Sequence, residues 1–349
     1  MSYIQATNQI VVPTKEDSFI FSPHSCMSVM ILFYAGTSGK TRKAIKKRFG
    51  LPTINTTLTE LVKLNSKLNE LKQFNMLLVR KDMVDDLDPD FVKQISTIGS
   101  IDKFSAEKAE STVKKVNKLV DSTTNHLIKE ILSNDSITSE TVSIFLNCVY
   151  FKMRWSQVFD KKNTTLEPFY SEPSKKLKDV EMMTMCGKKF KYSINKKFQL
   201  LEMNYVGNEF TFGVVLPKTH GVIATHEEIA ELISKLKSEK ITQLSIPKFK
   251  QETTVNIKND MFQGFDWESL EMQNMFLSER NDFKVDEFIQ KAIIIVDEEG
   301  TEAAATTRMS TKNCIEKEEE EINFIADHAF SYYIRHIKTD VIIFTGLFM

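Results

Sequence analysis

The chain has 349 residues, 42% of them hydrophobic and 27% charged, with a formal net charge of −1. That is globular composition, and the near-zero balance excludes a general electrostatic attraction to nucleic acid or membrane, so any charge-based function must be local. No apolar run reaches the roughly 20 residues a spanning helix needs, and the opening MSYIQATNQIVVPTKED has neither the basic start nor the apolar core of a secretory leader. The expected location is the cytoplasm, or outside the cell by a non-classical route.

In chain order, the first third reads as helical. SPHSCMSVMILFYAG, residues 22–36, is nearly all apolar after Pro23, the pattern of a helix buried on every side. SGKTRKAIKKRFGLP is basic and amphipathic, with Gly50 and Pro52 as a stop. Leu58, Leu61, Leu64, Leu68 and Leu71 recur at three- and four-residue spacing and predict another helix, and Val113, Val116, Val120 and Leu127 repeat the pattern. From about residue 140 the character changes. VSIFLNCVYF, FTFGVVLP, FIQKAIIIVDE, FSYYIRHI and DVIIFTGLF are short runs of β-branched and aromatic residues between polar turns, which predicts strands. Helices first and strands later, without a βα alternation, predict an α+β fold. With no internal repeat and no linker, residues 1–349 read as a single domain.

Signals for catalysis fail on inspection. YAGTSGKT ends like a phosphate-binding loop, but Tyr34 stands where that loop needs its first glycine, and the preceding element reads as a helix rather than a strand. Its glycines are expected to turn the chain between two helices. The histidines, at 24, 126, 220, 226, 328 and 336, form no metal-binding pair. Cys26 and Cys148 sit in apolar runs and are expected in the core, whereas Cys314 alone occupies a polar, exposed stretch. No catalytic residue, metal or cofactor is predicted. The basic stretch Lys40–Arg48 reads first as a solvated helix face and second as a polyanion site.

The informative segment is IIIVDEEGTEAAATTRMSTKNCIEKEEEEINF, residues 293–324. Read as a strand, one face carries Thr301, Ala303, Ala305, Thr307, Met309, Thr311 and Asn313, all uncharged and mostly small. The other face, Glu302, Ala304, Thr306, Arg308, Ser310 and Lys312, collects every charge. Neither Gly nor Pro interrupts residues 301–313, so a continuous hydrogen-bond ladder is possible. The segment could join a sheet, yet has little hydrophobic reason to stay in one. A loop of about 20 such residues inside a compact protein is usually functional.

VDEEGTEAAATT resembles the proximal hinge of the reactive-centre loop of inhibitory serpins. Further serpin signatures recur in order: FSP at 21–23, GTSGKT at 36–41, VNKLVDSTTNHLI at 116–128, LNCVYFKMRWSQVF at 146–159, VEMMTM at 180–185, LEMNYVG at 201–207, VVLP at 214–217, IPKFK at 246–250 and FIADHAFSYYIRH at 324–336. The resemblance spans essentially the whole chain. It implies N-terminal helices on a large central mixed sheet with smaller sheets, and an exposed loop over about residues 298–322. It also implies a suicide-substrate inhibitor of serine proteases and not an enzyme: the protease cuts the loop, forms an acyl-enzyme, and is carried off covalently as the loop inserts into the sheet. The hinge would be Glu298, Glu299, Gly300, Thr301, Glu302, Ala303, Ala304, Ala305, Thr306 and Thr307, with Gly300 giving the bend where strand becomes loop and Trp155 at the point where insertion begins.

By the family's spacing the scissile bond follows the seventeenth residue counted from Glu298, giving Cys314–Ile315, with Asn313 and Lys312 as alternatives. The acidic run Glu316, Glu318, Glu319, Glu320 and Glu321 beyond it would steer cationic proteases toward the loop. Met153, Asn204, Ala329 and the pair Asn125-His126 depart from the family pattern outside the hinge. The resemblance further implies a monomer that polymerises on heating, since a loop able to enter its own sheet can enter a neighbour's. Competing readings are a non-inhibitory serpin (carrier, chaperone or plain protease substrate) and a nucleotide switch through GTSGKT.

Overall fold

The computed structural model describes residues 17–173, 175–262, 264–301 and 321–349. In chain order the elements are β1 (Phe19–Phe21), α1 (Pro23–Gly36), α2 (Gly39–Phe49), α3 (Ile54–Asn65), β2 (Leu71–Arg80), α4 (Lys81–Val84), α5 (Pro89–Ile95), β3 (Ser100–Phe104), α6 (Ala109–Thr123) and β4 (Ser143–Phe151). There follow β5 (Met153–Arg154), β6 (Thr164–Glu172), β7 (Lys175–Ile194), β8 (Phe198–Asn204), β9 (Phe210–Pro217), α7 (His226–Ser234), β10 (Lys237–Pro247), β11 (Phe249–Asn256) and α8 (Ile257–Met261). The last are β12 (Glu287–Val296), β13 (Gly300–Thr301), β14 (Asn323–Ile325), β15 (Phe330–His336) and β16 (Val341–Phe348). The α+β class expected from the order of helices and strands is the one observed.

The residues gather into two compact units. One is built mainly from Phe21–Tyr150 and Thr253–Ile293, the other mainly from Phe151–Glu252 and Ile294–Met349.

In the first unit α1 is buried along all fourteen residues. Pro23 at its start and the Ser22 side chain accepting from Ser25 N–H fix its first turn. The strands β3-β2-β4-β12 run side by side, with β2–β3 and β4–β12 both parallel. α6 lays Val113, Val116 and Val120 on Met76, Leu78, Ile144, Leu146 and Cys148 of β2 and β4. Several polar residues buried in this unit are joined to one another. Asn147 Nδ2 donates to Ser25 Oγ and to Asn75 Oδ1, each at 2.7 Å, and Gln290 Nε2 donates to Asn147 Oδ1 at 2.9 Å. The Gln290 amide also accepts from Ser22 N–H and donates to Ser22 O. This network ties β4 and β12 to the start of α1. Replacing Asn147 by alanine strands several buried partners, each costing about 1–3 kcal/mol, so a lowered midpoint in thermal unfolding is expected.

The second unit is dominated by a nine-stranded sheet in the order β1-β16-β15-β9-β8-β7-β10-β14, with β6 added on β7. α7 packs Leu232 on Phe198, Leu200 and Val215 of β8 and β9. Within the sheet, Glu202 and Arg335 form a buried bidentate pair at 2.7 and 3.0 Å. At the end of β12, a short ladder to β13 and then β5 completes the unit.

Several expectations need correction. The leucine-spaced helix stops at Asn65, and Leu71 opens strand β2. Leu68 and Leu71 stay buried, at 3% and 7% exposure, so the three-residue spacing reported burial rather than a continuous helix. The described part of the first third therefore holds strands β1, β2 and β3 beside its helices, and the periodicity concealed the start of β2. Leu127 falls beyond α6, because Asn125 and His126 take left-handed φ of 50° and 65° and end the helical run. Cys186, on β7, is exposed, Cys314 lies outside the described residues, and Cys26 and Cys148 are buried as expected. GTSGKT does join two helices, with Gly36 ending α1 and Gly39 opening α2 at φ 41°.

Candidate functional site

The hinge residues begin where β12 ends, and the chain there makes a tight reversal. Asp297 Oδ1 accepts from the backbone N–H of Glu299 at 2.8 Å and of Gly300 at 3.1 Å, and Asp297 N–H donates to Gly300 O at 2.9 Å. An Asp that bonds its own downstream backbone is a standard turn maker. The reversal sends Gly300–Thr301 back antiparallel to β12, with Thr301 opposite Val296. On its other edge the same dipeptide pairs with Arg154 and Met153 of β5. Gly300 and Thr301 thus form a short strand with a neighbour on each side.

Gly300 is required here for a reason other than the expected bend. Its φ is not in the left-handed region. A Cβ at this position would lie 2.2 Å from Met153 O and 2.7 Å from Arg154 Cα, both backbone atoms that cannot rotate away. Gly300→Ala is therefore expected to push the dipeptide out of its slot. The cost should be about 1–3 kcal/mol, as for other overpacked sites, visible as a lower unfolding midpoint and altered fluorescence of the buried Trp155.

Trp155 grips the reversal from the side. Its indole Nε1–H donates to Asp297 O and its backbone N–H to Glu299 O, both at 2.9 Å. The ring stacks on Tyr205 with centroids 4.6 Å apart. Tyr205 in turn shares a 2.6 Å hydrogen bond with the Thr301 hydroxyl, and both residues are fully buried. Burial pushes the Tyr205 phenol well up, the hydrogen bond to Thr301 notwithstanding, so it remains protonated. Thr301 faces inward against this aromatic pair, on the uncharged side read from the sequence.

The two hinge glutamates are buried and each meets a lysine. Glu298, 4% exposed, bonds Lys248 Nζ at 3.2 Å and accepts from the Thr164 hydroxyl at 2.9 Å, while its backbone O accepts from Phe159 N–H at 2.9 Å. Burial alone would raise its carboxyl, but backbone and Thr164 hydrogen bonds and the Lys248 charge outweigh that and hold it below the usual range. Glu299 Oε1 pairs with Lys161 Nζ at 2.9 Å, and its Oε2 is buried without a hydrogen-bond partner among the described residues. Burial raises the Asp297 carboxyl despite its two backbone hydrogen bonds.

The structure thus brings together Trp155, Glu298, Glu299, Gly300 and Thr301. It adds Tyr205, Thr164, Lys161 and Lys248, to which sequence reading gave no role. The signal for the lysines was indirect: three consecutive acids at the end of a buried strand demand cations, but nothing in the spacing says which. Glu302 to Thr307, Lys312 to Ile315 and Glu316 to Glu320 lie outside the described residues. Glu321 is exposed just ahead of β14, and Ile322 O accepts from Thr242 N–H of β10 at 2.9 Å. At that end of the sheet Lys240 faces Lys189 across β10 and β7, with Lys188, Lys191 and Lys237 also exposed. Among the described residues no three His, Cys, Asp or Glu side chains are grouped to hold a metal ion, and no helix is long and apolar enough to cross a membrane.

The short strand Gly300–Thr301 thus lies between β12 and β5 at the point where the described residues break off. The family model described as Serpin (serine protease inhibitor) matches residues 4–349, and the chain belongs to the serpin family. It is 29% identical to leukocyte elastase inhibitor of Homo sapiens over 362 residues, covering 95% of this chain and 92% of that protein. Among solved structures, the thermophilic serpin Tengpin in its native state superposes with a TM-score of 0.84 at 22% identity, covering 99% of this chain and 92% of that one. Thyroxine-binding globulin in complex with thyroxine does so with a TM-score of 0.81 at 19% identity, covering 96% and 93%.

Proposed function

We propose that this serpin is a suicide-substrate inhibitor of serine proteases, with Cys314–Ile315 as the bond presented and Asn313 or Lys312 as neighbouring choices. The observation that carries the reading is β13, the start of the loop lying as a strand between β12 and β5. The protease supplies the chemistry: its serine attacks the carbonyl carbon of Cys314, the new amine of Ile315 leaves, and the acyl-enzyme remains on the loop. The chain then extends β13 downward, small uncharged residues inward and charged residues outward. To do so it must separate β4 from β12, which pair directly over Glu287–Ile293. Insertion competes with hydrolysis of the acyl-enzyme, which is why every inward hinge residue must be cheap to bury. In this reading residues 1–349 act as one domain.

The acidic run Glu316–Glu321 favours a cationic protease, with an association rate that falls as salt rises. The lysines at the same end of the sheet set an opposing field close by, so the salt dependence should be modest rather than steep. A second reading, carrier rather than inhibitor, has the thyroxine-bound relative in its favour. The inward face Thr301, Ala303, Ala305 and Thr307, without a bulky or charged member, favours inhibition.

The test is incubation of the full chain with chymotrypsin-like, trypsin-like and elastase-like proteases, read by denaturing gel and mass spectrometry. An SDS-resistant complex with release of the peptide Ile315–Met349 is expected. A complex with another peptide would move the bond, and cleavage without any complex across the panel would leave a substrate rather than an inhibitor.

A further inference from the structure

Away from the hinge, two imidazole rings from distant parts of the chain lie face to face. His220 follows β9 and His328 lies in the link between β14 and β15; their centroids are 4.2 Å apart and their planes 15° from parallel. His328 is buried, with Nε2 2.7 Å from Pro217 O and Nδ1 2.8 Å from Asp327 Oδ1. A backbone carbonyl and an ionised carboxylate only accept, so satisfying both requires a proton on each ring nitrogen. His328 is therefore the imidazolium of the pair. His220 Nδ1 is buried and finds no hydrogen-bond partner among the described residues, while the ring also bonds the Ser171 backbone. Stacked on a cation at this distance, His220 is the neutral member.

The link that His328 belongs to is the root of the loop on its C-terminal side. β14 holds β10 through only three residues, Asn323 to Ile325. Beyond it, Ala326 N–H donates to Ser245 O at 2.9 Å, and Asp327 O accepts from Tyr170 N–H of β6 at 2.8 Å. The stack then fastens this link to the end of β9. We propose that the His220–His328 stack is a proton-operated clasp on the C-terminal root of the loop, closed near neutrality and loosened on either side.

The sign on each side follows from the surroundings. Burial opposes the charge on His328, but the Asp327 and Pro217 hydrogen bonds and the Asp327 charge outweigh it and raise the group. Its contribution is complete below the ordinary imidazole value of about 6.5 and is lost as pH rises through the raised one. His220 is lowered by burial and by the His328 charge, against smaller opposite effects from Asp327, Ser171 and Glu172. Its contribution is complete above the ordinary value and is lost as pH falls through the lowered one. The other charged groups around the stack are Glu172, itself paired with Lys175 at 3.0 Å, and the exposed Lys218 beside Pro217. The consequence for inhibition rests on the loop function proposed above; the clasp itself does not.

The experiment is an NMR titration of the two imidazoles in the full-length chain, with amide-exchange protection of residues 323–330 measured across the same pH series. His328 is expected to titrate above and His220 below the ordinary value, and protection to trace a bell. Each limb should change about tenfold per unit of displacement. His220→Phe keeps a ring on the stack without a proton and should flatten the acid limb alone. Asp327→Asn should shift the alkaline limb to lower pH. Both rings titrating at the ordinary value, or an unchanged acid limb in His220→Phe, would overturn the clasp. Neither readout involves a protease, so the clasp stands or falls apart from the inhibitory reading.

Discussion

On the proposed inhibitory function, Thr301→Arg is expected to yield a substrate that is cut and released. Thr301 is fully buried, and its hydroxyl pairs with the buried Tyr205 at 2.6 Å. Arginine there places a charge where there is no water, at a cost of several kcal/mol. It also strands the Tyr205 hydroxyl, which adds about 1–3 kcal/mol. Both penalties fall on every state that keeps β13 between β12 and β5, the fold before any cut included. The uncut variant should therefore unfold at a lower temperature, and where β13 has left its slot, every 1.4 kcal/mol slows its re-entry about tenfold against hydrolysis of the acyl-enzyme. The check is the ratio of complex to cleaved chain on a denaturing gel. Stable complex in undiminished yield would mean that Thr301 is not on the insertion path. Thr301→Ser, which keeps the hydroxyl, should behave nearly as the parent.

Glu298→Lys is expected to damage the folded state itself. The substitution removes the partner of Lys248, leaves the Thr164 hydroxyl without its acceptor, and puts a new cation between Lys248 and Lys161. Breaking a fully buried pair costs about 3–5 kcal/mol; with the Lys248 side chain 36% exposed, the loss should sit at the lower end. The reversal that holds β13 would loosen, freeing the slot between β12 and β5 for the loop of another copy. Heating should then give polymers at a lower temperature than for the parent, measured by native gel after graded incubation. The same pair sets an acid limit. The Glu298 carboxyl is depressed, so its contribution is complete above the ordinary carboxylate value and is lost as pH falls through the depressed one. The parent should lose stability in that acid window, and Glu298→Gln should lose correspondingly less.

Sequence reading found the elements that are buried from end to end and the helices with one clear apolar stripe. α1 is buried throughout, and β4, β9, β15 and β16 are buried along nearly their whole length. What it missed has mixed surroundings. β7 runs twenty residues with exposed lysines at both ends, so its composition resembles a solvated segment. Leu68 and Leu71 carry a helical spacing into a turn and a strand because the same core side faces both. At the site, Thr301 was legible because alternation alone puts it on the uncharged face, and Trp155 because of the resemblance. Lys248 and Lys161 were not, since ion pairs between residues 50 and more positions apart leave no local trace. Gly300 was singled out for the bend alone. A close approach to Met153 O is a property of the neighbouring strand, which no local reading of Gly300 contains.

The proposed function requires that the loop continue β13 as a strand between β4 and β12. Its most direct test is thermal unfolding of the chain before and after a single proteolytic cut near Cys314, with both fragments retained. If the loop enters the sheet once freed at one end, the cut protein should unfold at a distinctly higher temperature and resist heat-induced polymerisation, because its slot is filled. An unfolding temperature unchanged or lowered by the cut would contradict the account, whatever proteases the protein meets.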